Sequence, residues 1–209
     1  AVATPDAFYQ QLAALAPDPA TGERDMGKIQ AFFAAHPETQ SFREWMGAYQ
    51  PSSSFAAERY NSINAFYLIN AEGERQAVRW HAIPTQDSGE NPFSESANAL
   101  QEEIASRLAE DPVRFELVFT LANATDNPDD PTVEWPADRQ QIVAGEIVLQ
   151  AVHDDQGVCD QINFDPLILP RGIEASGDRI LRARSAAYAE SYRRRAREVL
   201  AGNVYPVEQ

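Results

Sequence analysis

Arg184, Tyr188, Tyr192 and Arg195 lie in one stretch near the C-terminus, spaced at intervals that match the turn of an α-helix. Residues four apart share a helix face, so the Arg184 guanidinium can reach the Tyr188 phenol, while Tyr192 continues the stripe and Arg195 lies about two turns beyond Tyr188. A phenol titrates near pH ~10, so presenting one as phenolate at neutral pH takes about 4 kcal/mol of preferential stabilisation. A neighbouring cation and a ferric ion both push in that direction, which suits the pair to a tyrosinate metal ligand. The same spacing also suits a core tyrosine whose hydroxyl is capped by an arginine, and spacing alone favours that arrangement.

The elements that must position these residues can be read along the chain. The run Arg179 to Leu200 predicts a long terminal helix, with Ser176 or Asp178 as its cap. The segment QINFDPLILPRGIEASGD before it is punctuated by Pro and Gly and predicts an irregular crossover without a regular element. At the other end, Thr4-Pro5 opens a short helix, and two further helical stretches, Met26 to Ala35 and Thr39 to Met46, are separated by His36-Pro37. After Ser54 the period changes. NAFYLIN and RQAVRWHAI, joined by a Gly-containing turn, predict a hairpin, and Arg114 to Leu121 and Glu146 to Val152 predict two more strands. A helix near Ala97 to Ala109 and the loop DNPDDPTVEWP lie between the hairpin and the last strand. Four antiparallel strands flanked by helices make an α+β fold.

The bulk properties exclude several classes of function. A chain of 209 residues is the size of one domain able to bury a core. A formal charge of −15 argues against nucleic acid as a partner, because that affinity rests on Lys and Arg neutralising phosphate. Seven arginines nevertheless fall between Arg179 and Arg197, forming either an anion-facing surface or a solvated helix face. The single cysteine, Cys159, excludes an intrachain disulfide and the cysteine clusters of structural zinc sites. No apolar run reaches the length of a membrane span, and the start AVATPDAF lacks the regions of a signal peptide. The chain reads as soluble, with its compartment open between bacterial periplasm and cytoplasm.

The stretch NFDPLILPRGIEASGDRILRARSAAYAESYRRR resembles the proximal haem segment of catalases: a Phe-Asp-Pro turn, a Pro-x-Gly-Ile-Glu-x-Ser element, an Asp, and Arg-x-x-x-Tyr followed seven residues later by Arg. Two further segments agree in order and spacing. YNSINAFYLINAEGERQAVRWHAIP resembles the family's hairpin ending in an aromatic-His pair, and DDPTVEWPADRQQIVAGEIVLQAV resembles its Trp-Pro loop and final barrel strand. The wording DPTVEWP and the compact length point to the small catalase-related peroxidases.

The resemblance implies a haem b (iron protoporphyrin IX) site with Tyr188 as axial tyrosinate. It implies a proximal relay of Arg184, His81 and Asp178, and Arg195 paired with a haem propionate. Phe164, Pro166, Ile180 and Tyr192 would line the ring. His36 and His153 are assigned no role. The implied activity is reduction of hydrogen peroxide with an organic electron donor, with weak catalase activity beside it. The implied alternative is a non-catalytic haem-binding fragment or one subunit of a split protein. The family's distal His and Asn match no residue here, so residues 1–209 are expected to form a single catalase-like haem domain lacking the N-terminal distal-side portion. The family's core is a closed eight-stranded barrel, of which this chain would supply about the last four strands. The open edges are then expected to pair with the missing barrel half or with another copy.

Overall fold

The computed structural model describes residues 1–87, 89–153 and 161–201, and Cys159 lies outside them. Helix α1 (Pro5–Leu15) begins where predicted: Thr4 is extended and its Oγ1 accepts from the Ala7 N–H at 3.2 Å, while Pro5 occupies the first turn. Helix α2 (Met26–Ala35) is capped by Asp25, which accepts from Gly27 and Lys28. A 3₁₀ turn at Pro37–Thr39 leads into α3 (Gln40–Ala48). His36, at the break, stacks on Phe32 and bonds Gln10 and Glu38, so it ties α1 to α2. Val2, Ala7 and Phe32 form the buried centre of this helical layer.

Among the described residues the sheet holds six antiparallel strands where four were expected. They are β1 (Tyr60–Asn61), β2 (Phe66–Ile69), β3 (Arg75–Pro84), β4 (Val113–Leu121), β5 (Gln141–Leu149) and β6 (Ile173–Ala175). Their spatial order is β5-β4-β3-β2-β6, with β1 paired to β3. The predicted hairpin is β2-β3, turned at Gly73, whose φ of 82° lies where a side chain would be strained. Helix α4 (Ala99–Glu110) packs Ile104 and Leu108 against Trp80, Ala82, Val113 and Phe115 on one face of the sheet. The other face carries Arg79, His81 and Thr120, because alternate side chains of β3 point that way and Arg79 pairs with Thr120 across the ladder.

Two predicted boundaries are corrected. Strand β5 covers Gln141–Leu149 and not Glu146 to Val152, because β4 continues to pair with it past Gly145 through a bulge at Leu117/Val118. The crossover predicted to lack regular structure contains β6, which pairs with β2 from Leu68 to Phe66. The helix predicted over Arg179 to Leu200 is α5 (Arg179–Leu200). The sheet does not close on itself: β5 and β6 are its outer strands, and on β5 Ile142, Val143 and Leu149 are exposed. No helix among the described residues is long and apolar enough to cross a membrane.

Candidate functional site

The start of α5 is a buried polar junction. Asp178 is fully buried and its Oδ1 accepts from the backbone N–H of Ile180 (2.8 Å) and Leu181 (3.3 Å), satisfying two of the open donors of the first turn. Its Oδ2 accepts from the Asn64 amide at 2.6 Å. The Asn64 Oδ1 in turn accepts from Arg184 Nη1 at 2.9 Å. Asn64 is itself buried, held where the chain enters β2. One turn further along α5, the Arg184 guanidinium carbon lies 5.7 Å from the centre of the Tyr188 ring. Asp178, Arg184 and Tyr188 are thus brought together, with Asn64 as the connecting member.

The crossover runs antiparallel along the next part of α5. The Ser185 hydroxyl donates to Asp165 Oδ2 (2.6 Å), and Arg195 donates to the Ile162 carbonyl (2.9 Å) and to Ser191 (2.8 Å). These two anchors lie ten residues apart on the helix, about 15 Å at ~1.5 Å rise per residue. Asn163 and Phe164 are therefore held beside the part of α5 that bears Tyr188 and Tyr192. Phe164 is 60% exposed and Pro166 half-buried, while Tyr192 lies near Arg195, whose guanidinium carbon is 5.9 Å from its ring centre. Ile180 instead packs against the α1-α2 layer, on the Val2, Ala7 and Phe32 cluster.

His81 stands elsewhere on the sheet. Its Nδ1 lies 2.7 Å from Asn61 Oδ1 and its Nε2 lies 2.8 Å from Thr120 Oγ1. Its two ring nitrogens bond neither Arg184 nor Asp178. Asn61 Oδ1 also accepts from Arg59, and Thr120 Oγ1 accepts from Gln141, so the arrangement suits a neutral ring that donates from Nδ1 and accepts at Nε2. His81 lines a cavity of about 890 Å³ together with Phe42, Trp45, Tyr60, Arg79 and Trp135. Arg79 is buried, stacks on Trp135 and donates to the carbonyls of Asp130 and Val133, clamping the Trp-Pro loop onto β3.

Burial lowers the His81 pKa, and the charges of Arg59 and Arg79 lower it further. The unfolded chain then takes up the proton first, so the contribution to stability is full above a pH of about 6.5 and is lost as pH falls toward the folded-state value. Urea midpoints compared at about pH 7.5 and about pH 5.5 should show a smaller acid-induced loss in His81→Gln than in the parent chain. An equal loss would mean that another group carries the dependence.

Sequence reasoning did not find Asn64, Asp165 with Ser185, or Arg79. Asn64 lies 114 positions from Asp178 and 120 from Arg184, so no local spacing announces the junction. Asp129 was also missed. It accepts from the Gly177 N–H at 2.6 Å, and a Cβ at Gly177 would meet its carboxylate at 2.6 Å, so the Trp-Pro loop grips the chain one residue before Asp178. The one available signal was the Asp-rich wording of DNPDDPTVEWP beside a Ser-Gly-Asp sequence.

The donor set around α5 fits a haem. Among the described residues the Tyr188 hydroxyl has no hydrogen-bond partner, although its ring is half-buried. Beside it the crossover exposes Phe164 and Ile168, surfaces a flat apolar macrocycle would cover. The buried Asn163 Oδ1 also lacks a donor among the described residues. Among those same residues, no group of three or more His, Cys, Asp and Glu side chains could hold a metal ion. A lone phenol oxygen would suit a metal that brings its other ligands with it, as a haem iron does.

No family model matches the chain. Among curated proteins it is 37% identical over 203 residues to a catalase-related peroxidase of Synechococcus elongatus, covering 94% of this chain and 59% of that protein. It is 29% identical over 201 residues to a catalase-related peroxidase of Mycolicibacterium paratuberculosis, covering 92% of this chain and 62% of that protein. Among solved structures, a bacterial catalase superposes with a TM-score of 0.76 at 23% identity, and a fungal catalase with 0.75 at 19% identity. Each covers 93% of this chain, which spans 41% and 42% of theirs. The antiparallel sheet with its flanking helices is thus the catalase fold, and the chain spans about three-fifths of the curated relatives' length.

Proposed function

We propose that the chain belongs with the catalase-related peroxidases it resembles over nearly its whole length, and that it forms the proximal side of a haem b site that Tyr188 would ligate. The observation that carries this reading is the pairing on α5: a Tyr188 phenol with no hydrogen-bond partner among the described residues, and the Arg184 guanidinium beside its ring. When bound, ferric haem supplies the redox chemistry by which hydrogen peroxide is reduced and an organic donor oxidised. The chain's own residues hold and orient it. Arg184 sets its guanidinium beside the Tyr188 ring, and Asp178 caps the helix start that carries both. Phe164, Pro166 and Tyr192 would line the haem, whereas Ile180 packs on Val2, Ala7 and Phe32 in the helical layer. Arg195, already bonded to Ile162 and Ser191, would meet a propionate at the far end of the face. His81, bonded to Asn61 and Thr120, takes no part in the Arg184 junction.

Hemin titrated into the purified chain should produce a high-spin ferric tyrosinate spectrum. Peroxide-dependent oxidation of a chromogenic donor should follow once acid-base and peroxide-orienting groups of the opposite haem face are supplied. Absence of any tyrosinate spectrum at saturating hemin would overturn the reading.

A second reading, a haem-binding portion that acts with another polypeptide or another copy, is favoured by the open edge at β5. Three apolar side chains there are exposed, with Val143 at 65%, and an unpaired strand of this kind templates further pairing. Sedimentation should show association beyond the 23.2 kDa chain, and Val143→Lys should weaken it by about tenfold, since a charged edge opposes pairing. A strictly monomeric parent chain at high concentration would contradict this reading.

A further inference from the structure

We infer that Asn64 is a positioning residue for Arg184, and that its amide is required because the junction needs a donor at one end and an acceptor at the other. The inference rests on the reading of Tyr188 as haem ligand only for its consequence, since the geometry stands without haem. Asp178 Oδ2 can only accept, and Arg184 Nη1 can only donate. Between them sits a single side chain that donates 2.6 Å to the first and accepts 2.9 Å from the second. Asn64 and Asp178 are both buried, so bulk water cannot replace the bond between them. The amide also separates the carboxylate from the guanidinium. No ion pair joins Asp178 to Arg184 among the described residues, and the guanidinium carbon lies 5.7 Å from the centre of the Tyr188 ring one turn away.

The backbone around Asn64 is fixed for the task. Its carbonyl accepts from the Ser62 hydroxyl, and Phe66, two residues on, pairs with both Val78 and Ala175. The amide therefore approaches α5 from the start of β2, beside the outer strand β6, while Asp129 holds the chain at Gly177 from the Trp-Pro loop. Arg184 is exposed on its outer side, so without Asn64 nothing described in the fold would keep its guanidinium over the ring.

The test has one arm without haem and one with it. In the hemin-free chain, NMR of the arginine side chains should show slow rotation of the Arg184 guanidinium, and Asn64→Leu should make it rotate freely. The exchanged pair Asn64→Asp with Asp178→Asn retains a donor facing an acceptor and an Asn cap on α5, so it should restore slow rotation. If Asn64→Leu does not fold, the parent spectrum and the exchanged pair still decide. Free rotation in the parent chain overturns the inference, as does an exchanged pair that folds with a freely rotating guanidinium. In the haem arm, Asn64→Leu and Arg184→Gln should each weaken hemin binding by about tenfold, and the double variant should be no weaker than either alone. Additive losses would show that Asn64 does not act through Arg184. A chain with slow guanidinium rotation but no tyrosinate spectrum in any variant would retain the role of Asn64 and remove only the haem reading.

Discussion

Asp178→Ala should lower the free energy of unfolding by about 2–4 kcal/mol, measured by urea denaturation with an unchanged slope. Two losses add at this residue. The carboxylate caps α5 through Ile180 and Leu181, and replacing such a cap by Ala costs about 1 kcal/mol. Its second oxygen is the acceptor for the Asn64 amide, and leaving that buried donor without a partner costs a further 1–3 kcal/mol or so. Asp178→Asn keeps the cap and an acceptor oxygen and should cost less than Ala. A loss below about 0.5 kcal/mol for Asp178→Ala would mean that the junction does not hold α5 in place. The consequence reaches the site, because Arg184 is moored through Asn64 to this same carboxylate.

Tyr188→Phe should raise the hemin dissociation constant by at least ~100-fold, about 2.7 kcal/mol, while changing the stability of the hemin-free chain by no more than about 0.5 kcal/mol. The contrast follows from the geometry. In the hemin-free fold the hydroxyl has no hydrogen-bond partner among the described residues, so its removal strands nothing, and the ring that packs against Arg184 is retained. In the bound state proposed above, that hydroxyl would donate to the metal. A tyrosine that served the core through a capped hydroxyl would behave oppositely, with a measurable loss of stability and no effect on hemin. Isothermal titration with hemin and urea unfolding of the same preparations separate the two outcomes.

Much of this arrangement was legible in the residues. The terminal helix and its Asp178 cap follow from local periodicity and from the chemistry of a short acidic side chain before an amphipathic run, whereas Arg184, expected to reach the Tyr188 phenol oxygen, lies over the ring and donates to Asn64. Gly73 marked its hairpin because a turn with positive φ is where glycine is favoured. Strand β5 was misplaced because Ala144 and Gly145 offer no alternation, and its first six residues are all exposed. Strand β6 was missed because three paired residues between a Pro-Gly turn and a helix cap are too short to carry a period. The site divides in the same way. Asp178, Arg184 and Tyr188 lie within eleven residues and could be grouped by eye, whereas Asn64 reaches them only through the sheet. His81, grouped with them by resemblance, bonds Asn61 and Thr120, and which strand face meets a helix terminus is decided by tertiary packing rather than by any pattern along β3.

The central claim is that one particular phenol on α5 donates to iron, and Tyr192, on the same stripe, is its natural competitor. Resonance Raman spectra of the hemin-loaded chain grown with ring-deuterated tyrosine would test this most directly. Isotope-shifted tyrosinate bands are expected in the parent and in Tyr192→Phe, and should be absent in Tyr188→Phe. Bands that persist in Tyr188→Phe, or that vanish in Tyr192→Phe alone, would contradict the assignment.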